Sequence, residues 1–322
     1  MHEFRRPDVS VSIVSYNTRE LLGRCLQSLF DREREHEASL EVIVADNGST
    51  DGTLEMLHSE FPDVRVVETG GNIGYGRANN AGLADATGRF YFVLNSDTEV
   101  EPGCLRQLIS CLETNPSAGL CGAQLILPDG SRQRSWARDP GLAAVFLEQS
   151  MLAKALSRVL TFGRTDGSQT PNSGVRAVEW VCGACFFVRR EAWTDITGFD
   201  ASFFMYCEDD DFCVRMRRSG WSILFVPTAR IQHRLGASSQ GDWRLRARMV
   251  SSYNHSRYMF FTRHHGFLAG AAVKVFCMFG AVLRLLFWSL VAVFKRSART
   301  QVRLFGIVLR DTMRMNPRQD RP

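Results

Sequence analysis

Phe90-Tyr91-Phe92-Val93-Leu94-Asn95-Ser96-Asp97-Thr98 begins as an apolar run and ends in a polar turn carrying one carboxylate. A short apolar run of this kind suits a strand buried on both faces, as in a parallel sheet. Ligands of open α/β sheets bind beyond the carboxyl ends of the strands. Asp97 is therefore offered where a phosphate or a metal ion would sit.

The residues upstream repeat the same pattern. Strands are expected at 9–16, 40–45 and 64–68, with helices between them. Thr18 is expected to cap the first helix, whose apolar residues Leu21, Leu22, Cys25, Leu26 and Leu29 recur at helical spacing. A third helix is expected over 74–86. The order β-α-β-α-β-α-β predicts parallel pairing with right-handed crossovers, a nucleotide-binding half of Rossmann type. Gly74-Tyr75-Gly76 follows the third strand and lacks the last glycine of the dinucleotide fingerprint, which therefore fails.

Downstream, a helix is expected over 102–112 and a strand over 119–127. Residues 128–175 show poor periodicity apart from a helical piece near 143–160, and read as an excursion covering the substrate. Residues 178–188 read as one buried strand and 221–226 as the last. Residues 203–218 lead into a helix with acids at its start and bases at its end, and 229–239 form a polar loop.

The 322 residues can bury a large core, and 45% hydrophobic with 23% charged residues describes an ordinary globular chain. A net charge of +5 is too weak to argue for nucleic acid. The nine cysteines lie scattered in apolar segments, which fits reduced thiols. Cys182-Gly183-Ala184-Cys185 lies in an apolar stretch with no second C-x-x-C, so zinc is rejected. Residues 1–8 are polar and contain no signal-peptide core. The expectation is a protein acting on the cytoplasmic face of the plasma membrane.

Polar groups follow all four strands: Ser15-Tyr16-Asn17, Asp46 to Asp51, Asn72 to Asn80, and Asn95-Ser96-Asp97. Each alone reads as a capped turn. Their joint occurrence at successive strand ends predicts one site. A second cluster, Glu208-Asp209-Asp210-Asp211, places four acids side by side. Their mutual repulsion raises at least one pKa and favours a proton acceptor.

The strings Val11-Ser12-Ile13-Val14-Ser15-Tyr16-Asn17, Val44-Ala45-Asp46-Asn47-Gly48-Ser49-Thr50-Asp51-Gly52, Asn72-Ile73-Gly74-Tyr75-Gly76 and Leu94-Asn95-Ser96-Asp97-Thr98 resemble the inverting family-2 glycosyltransferases. The resemblance covers roughly residues 9–240. It implies the α/β GT-A fold, with a nucleotide-binding half over 9–127 and an acceptor half over 128–240. By resemblance, Asp46 recognises the nucleotide base, and Ser15, Asn17, Asn72, Arg77, Asn80, Asn95, Ser96 and Asp97 line the donor site. The Asn95–Asp97 turn is the counterpart of the family's metal-binding D-x-D, with Asn95 in place of the first Asp. A hard cation bridging a diphosphate needs only one or two protein carboxylates. The resemblance adds His233 to Asp97 as ligand of Mg2+ or Mn2+, with a flexible Gly/Ser loop after it.

The acidic cluster resembles the family's E-D-x-D, with Asp210 at a position usually apolar. That implies Asp209 as the base, Glu208 and Asp211 orienting nearby, and Trp180, Gly183 and Glu208 at the acceptor. The pattern is similar to the rhamnosyltransferase branch. This implies a dTDP-L-rhamnose donor and a polyprenyl-diphosphate-linked sugar acceptor in cell-envelope polysaccharide synthesis. UDP-galactofuranose, UDP-hexose and GDP-mannose are the alternative donors, and a non-catalytic sugar-nucleotide-binding scaffold is the alternative class.

Residues 241–322 are expected to be helical, basic and membrane-associating. The apolar stretch 267–294 is interrupted by Lys274 and Arg284, each costing about 2.5–3.5 kcal/mol at mid-bilayer. With Lys295 they fall within about 80° of arc, a polar stripe suited to a helix lying in the interface. Arg296, Arg299, Arg303, Arg310 and Arg314 fall within about 60°, which reads as a contact with anionic headgroups. No nucleic-acid recognition module accompanies them.

Overall fold

The computed structural model describes residues 6–35, 37–151, 174–234 and 242–316. The elements β1 (Val9–Ser15), α1 (Arg19–Arg34), β2 (Leu40–Asp46), α2 (Thr53–Glu60), β3 (Arg65–Glu68), α3 (Tyr75–Leu83) and β4 (Phe90–Asn95) follow in the expected alternation. They continue into β5 (Thr98–Val100), α4 (Cys104–Thr114), β6 (Ala118–Ile126), β7 (Trp136–Ala137), α5 (Leu142–Gln149), β8 (Arg176–Val178), β9 (Trp180–Val181), β10 (Cys185–Arg189), α6 (Arg190–Asp195), α7 (Glu208–Arg218) and β11 (Ser222–His233). The helices α8 (Trp243–His265), α9 (Phe267–Phe294) and α10 (Arg299–Met313) follow, with a 3-10 turn at Arg296–Ala298.

The chain forms two compact units. The first takes Met1–Arg138, Asp166–Ala201 and Glu208–Ser238; the second takes Asp139–Thr165, Ser202–Cys207 and Ser239–Pro322. The first unit is a mixed sheet in the order β3-β2-β1-β4-β10-β6-β11-β5, with β8 added beside β11. The strands β3, β2, β1 and β4 are mutually parallel, and β6 and β11 are parallel to each other. The strand β10 runs antiparallel to both β4 and β6. The carboxyl ends of β1, β2, β3, β4, β6 and β11 therefore lie along one edge.

Period-two patterning sends alternate residues to opposite faces. Val9, Val11, Ile13, Phe90, Phe92 and Leu94 pack with α1 and α4 on one face. Ile43, Tyr91, Val93, Phe186 and Val188 pack with α6 and α7 on the other. Phe92 is wholly buried and meets Phe187 at 5.6 Å; truncating such a ring costs about 3–5 kcal/mol. The buried Ser12 Oγ donates to Asn79 Oδ1 at 2.8 Å, so α3 packs on this strand through a satisfied polar contact.

Several boundaries differ from expectation. The stretch 178–188 is not one strand: β9 ends at Val181, a turn crosses 182–184, and β10 begins at Cys185. The last strand does not stop at 226 but runs to His233, pairing with β5 through Ile231↔Val100 and His233↔Thr98. Thr18 does not cap α1 with its side chain; its hydroxyl donates to Ser96 Oγ at 3.0 Å. Most of the excursion beyond Met151, including the rest of the helical piece over 143–160, lies outside the described residues. So does the Gly/Ser loop after Arg234.

In the second unit α8, α9 and α10 pack on one another around Ala247, Ala281, Leu304 and Val308, with α5 against α9. The basic residues within α9 do not form an outward stripe. Arg284 donates to the carbonyls of Gln149 (2.9 Å) and Glu148 (3.1 Å), capping the C-terminus of α5. Lys274 Nζ donates to Met315 O at 3.0 Å, just beyond α10. A low-dielectric helix bundle favours such cations where free carbonyls end a helix. The outward residues of α9 are apolar, with Leu268 82%, Leu290 67% and Phe294 83% exposed.

Candidate active site

The nucleotide corner is built by main-chain capture. Asp46, at the end of β2 and 2% exposed, accepts the N–H groups of Gly48 (3.0 Å) and Ser49 (2.9 Å) on Oδ2. Gly48 holds φ +84°, which a side chain would resist. The other oxygen, Asp46 Oδ1, is buried without a protein partner. Such an atom is expensive to leave bare, and it can accept a ring N–H from a base. Asn17, itself at φ 54°, accepts Thr50 N–H at 2.7 Å and donates its own N–H to Ser49 Oγ. Ser15 and Thr18 join hydroxyls at 3.0 Å, and Asn72 Oδ1 accepts Gly74 N–H at 3.2 Å. Thr69, not singled out in the sequence, sets its hydroxyl within reach of three acceptors, Asp46 O (3.0 Å), Asn47 Oδ1 (2.9 Å) and Gly71 O (2.7 Å), and can donate to one of them at a time.

Two of the expected donor residues also bond the main chain beyond α6. Asn80 donates to Phe199 O at 2.7 Å and accepts Phe199 N–H at 2.9 Å. Arg77 Nε donates to Ala201 O at 2.6 Å. Both hold α3 to the turn after α6, more than a hundred residues away in sequence.

Asn95, Ser96 and Asp97 form the turn between β4 and β5. Asp97 Oδ1 lies 3.2 Å from His233 Nε2. The main chain fixes this pair, because Arg234 N–H donates to Asp97 O at 2.9 Å and β5 pairs with β11. His233 thus sits at a strand end, buried, rather than in the expected loop. One carboxylate and one imidazole this close suit a divalent cation whose remaining ligands come from a diphosphate and water. Among the described residues, no group of three or more His, Cys, Asp or Glu side chains is arranged to hold a metal ion.

The acidic corner is organised by Gly183. A Cβ on Gly183 would meet Asp209 Cβ at 2.9 Å, so only glycine lets the strand break approach the acid. Gly183 N–H donates to Asp209 Oδ2 at 3.4 Å, and Gly183 O accepts the Tyr75 hydroxyl at 3.0 Å. The next residue, Ala184, accepts Asn95 N–H at 3.1 Å. Asp209 is thereby tied through Gly183 and Ala184 to the turn carrying Asp97. Trp180 is buried in β9, opposite Ala137 of β7.

The four acids are not equivalent. Asp211, fully buried, is paired with Arg215 at 2.7 Å, and Arg215 also donates to Ile196 O and Gly198 O. It is a strut. Burial, and secondarily the charge of Asp209, pushes the Glu208 carboxyl up to about 8. Its Oε2 is buried without a hydrogen-bond partner. Burial therefore favours the protonated form of Glu208 beside Asp209.

Residues 10–196 match the family described as Glycosyl transferase family 2. An N-acetylglucosaminyl-diphospho-decaprenol L-rhamnosyltransferase of Mycobacterium tuberculosis is 32% identical over 266 residues, 79% of this chain and 84% of that one. An O-antigen biosynthesis protein of Myxococcus xanthus is 26% identical over 240 residues, 73% of this chain and 18% of that one. Among solved structures, GalNAc-T7 with UDP, GalNAc and Mn2+ has a TM-score of 0.56 at 17% identity, covering 81% of this chain and 51% of that one. A mannosyltransferase of Pyrobaculum calidifontis in complex with GDP-Man and Mn2+ has a TM-score of 0.53 at 17% identity, over 96% of this chain and 87% of that one. These two likenesses establish the fold. The family match covers more than half of the chain, and the chain therefore belongs to glycosyl transferase family 2, as a GT-A glycosyltransferase similar to a mycobacterial L-rhamnosyltransferase.

Proposed function

We propose that the chain is an inverting rhamnosyltransferase that moves L-rhamnose from dTDP-L-rhamnose to a polyprenyl-diphosphate-linked sugar. The observation that carries the transferase chemistry is the link from Asp209 through Gly183 and Ala184 to Asn95, which supports reading Asp209 as a base near the turn of Asp97. Similarity to the mycobacterial enzyme supports the donor and the acceptor class.

Asp46 Oδ1 accepts the ring N–H of thymine, an edge that cytosine and adenine do not present. Asp209 removes the proton from the acceptor hydroxyl. The freed oxygen bonds to the anomeric carbon from the side opposite the diphosphate. The bond from that carbon to the phosphate oxygen breaks, and the configuration inverts. Glu208, neutral, donates a hydrogen bond to the acceptor. Asp97 and His233 would hold Mg2+ or Mn2+, which when bound neutralises charge on the leaving diphosphate.

The apolar outer side of α9 and the exposed arginines at 296, 299, 303, 310 and 314 support contact with an anionic membrane surface. The helix α9 is long and apolar enough to cross a bilayer. Its two internal cations already serve the helix bundle, which favours lying in the interface, on the cytoplasmic side.

A donor screen tests this reading. The full chain, in detergent with a synthetic prenyl-diphospho-sugar, is expected to turn over dTDP-L-rhamnose. Turnover with only UDP-galactofuranose, a UDP-hexose or GDP-mannose would sink the rhamnosyl assignment while leaving the family intact.

A further inference from the structure

We propose that Gln133 is a positioning residue that fixes the tautomer and aim of His233 as a cation ligand. This rests on the reading of Asp97 and His233 as a divalent-cation pair. Gln133 lies in a stretch without periodicity, and no feature of the sequence marks it.

The observation is a relay through one imidazole. Gln133 Oε1 lies 2.8 Å from His233 Nδ1, and His233 Nε2 lies 3.2 Å from Asp97 Oδ1. A ring that binds a cation through Nε2 carries its hydrogen on Nδ1, where the Gln133 amide oxygen is placed to accept it. Two electron-rich atoms facing each other across 3.2 Å suit a cation. A ligating histidine commonly donates its other ring N–H to an oxygen that sets its orientation.

Gln133 is itself rigidly held. After β6 the chain turns back: Gly130 N–H donates to Leu127 O at 2.8 Å, Leu127 N–H donates to Ser131 O at 2.8 Å, and Ile126 bridges Arg132. Gln133 N–H donates to Leu125 O at 2.9 Å. Its carbonyl accepts both the buried Gln124 amide (2.8 Å) and Ser135 Oγ (2.9 Å). The strand end of β6 thus carries Gln133, that of β11 carries His233, and the turn after β4 carries Asp97. A stray surface contact would not be braced on three sides.

The experiment uses the full chain with dTDP, reading Mn2+ affinity from the free-Mn2+ electron paramagnetic resonance signal. Gln133→Met keeps the shape and removes the acceptor oxygen; Gln133→Glu restores an acceptor. Gln133→Met is expected to weaken Mn2+ binding about 10–100-fold, and Gln133→Glu to hold it within about 3-fold of the unsubstituted chain. Nitrogen-15 NMR of the chain loaded with dTDP and diamagnetic Mg2+ gives a second readout. His233 should be the Nδ1–H tautomer in the unsubstituted chain and in Gln133→Glu, and a mixture in Gln133→Met. Equal Mn2+ affinity in the unsubstituted chain and Gln133→Met, or an unaltered tautomer in Gln133→Met, overturns the role of Gln133 alone. Absence of Mn2+ binding by the unsubstituted chain overturns the cation reading and this role together.

Discussion

The two units use their charges in opposite ways. In the first, apolar side chains fill both faces of the sheet and acids gather at one edge, Asp46 and Asp97 after strands, Glu208 and Asp209 at the start of α7. In the second, cations inside the bundle cap helix ends, while leucines, valines and phenylalanines of α9 face outward. The first arrangement suits a polar substrate. The second leaves the outer side of α9 apolar, which fits the proposed membrane contact. If the proposed membrane contact holds, the difference predicts that transfer and membrane binding can be broken separately, each by substitutions in one unit.

The largest separation is expected from Asp209→Asn. Transfer should fall about 10²–10⁴-fold, the usual range for loss of a general base. Binding of dTDP and of vesicles should stay as they were. Transfer at the normal rate would remove Asp209 from the chemistry. In the second unit, Leu290→Glu combined with Phe294→Glu is the counterpart. Each buried apolar side chain contributes about 1.5–3 kcal/mol, so co-sedimentation with phosphatidylglycerol-containing vesicles should drop by at least about 100-fold. Turnover of a short-chain soluble acceptor should be unaffected. If vesicle binding persists, α9 does not face lipid and the contrast between the units collapses.

Gly183→Ala tests a smaller effect inside the first unit. The new methyl would meet Asp209 Cβ at 2.9 Å and push the acid away from the Asn95 turn. A displacement of about 1 Å costs on the order of 10²-fold in rate. We expect that loss in kcat, with dTDP affinity retained. An unchanged kcat would show that Asp209 tolerates movement and is not held by this glycine.

Much of the first unit was legible because its signals are local. A buried strand announces itself in five or six residues, and the turns after β1, β2, β3 and β4 carry their polar residues within the same window. What escaped depends on partners far off in the chain. The run over 178–188 is apolar throughout, and its break at Gly183 is demanded by Asp209, 26 residues on. The side chains of Asn80 and Arg77 meet Phe199 and Ala201 across 119 and 124 residues, contacts that no local pattern shows. Gln133 meets His233 across 100 residues. Lys274 and Arg284 lie close together around the helix, but a helical wheel cannot say that carbonyls of α5 and of the chain beyond α10 wait on that side.

A gradual effect, read in stability and not in rate, concerns how the first unit tolerates four adjacent acids. Glu208 has its pKa raised, to about 8, chiefly by burial and then by Asp209. In the unfolded chain it ionises near the ordinary carboxylate value. Below that value both states are protonated and Glu208 imposes no penalty. As pH climbs from about 4.5 towards 8, the unfolded chain releases the proton and the folded chain keeps it. Stability is then lost at up to about 1.4 kcal/mol per pH unit from this group, and the loss levels off above the folded pKa. Glu208→Gln cannot ionise, so it should match the unsubstituted chain near pH 4.5 and exceed it increasingly up to about pH 8. Each kcal/mol corresponds to roughly 2–4 °C in melting temperature for a domain of this size. Melting curves taken across that window for both chains read the difference directly. A constant offset would mean that Glu208 shares solvent like an ordinary surface acid, and the first unit would then hold no neutral carboxyl beside its base.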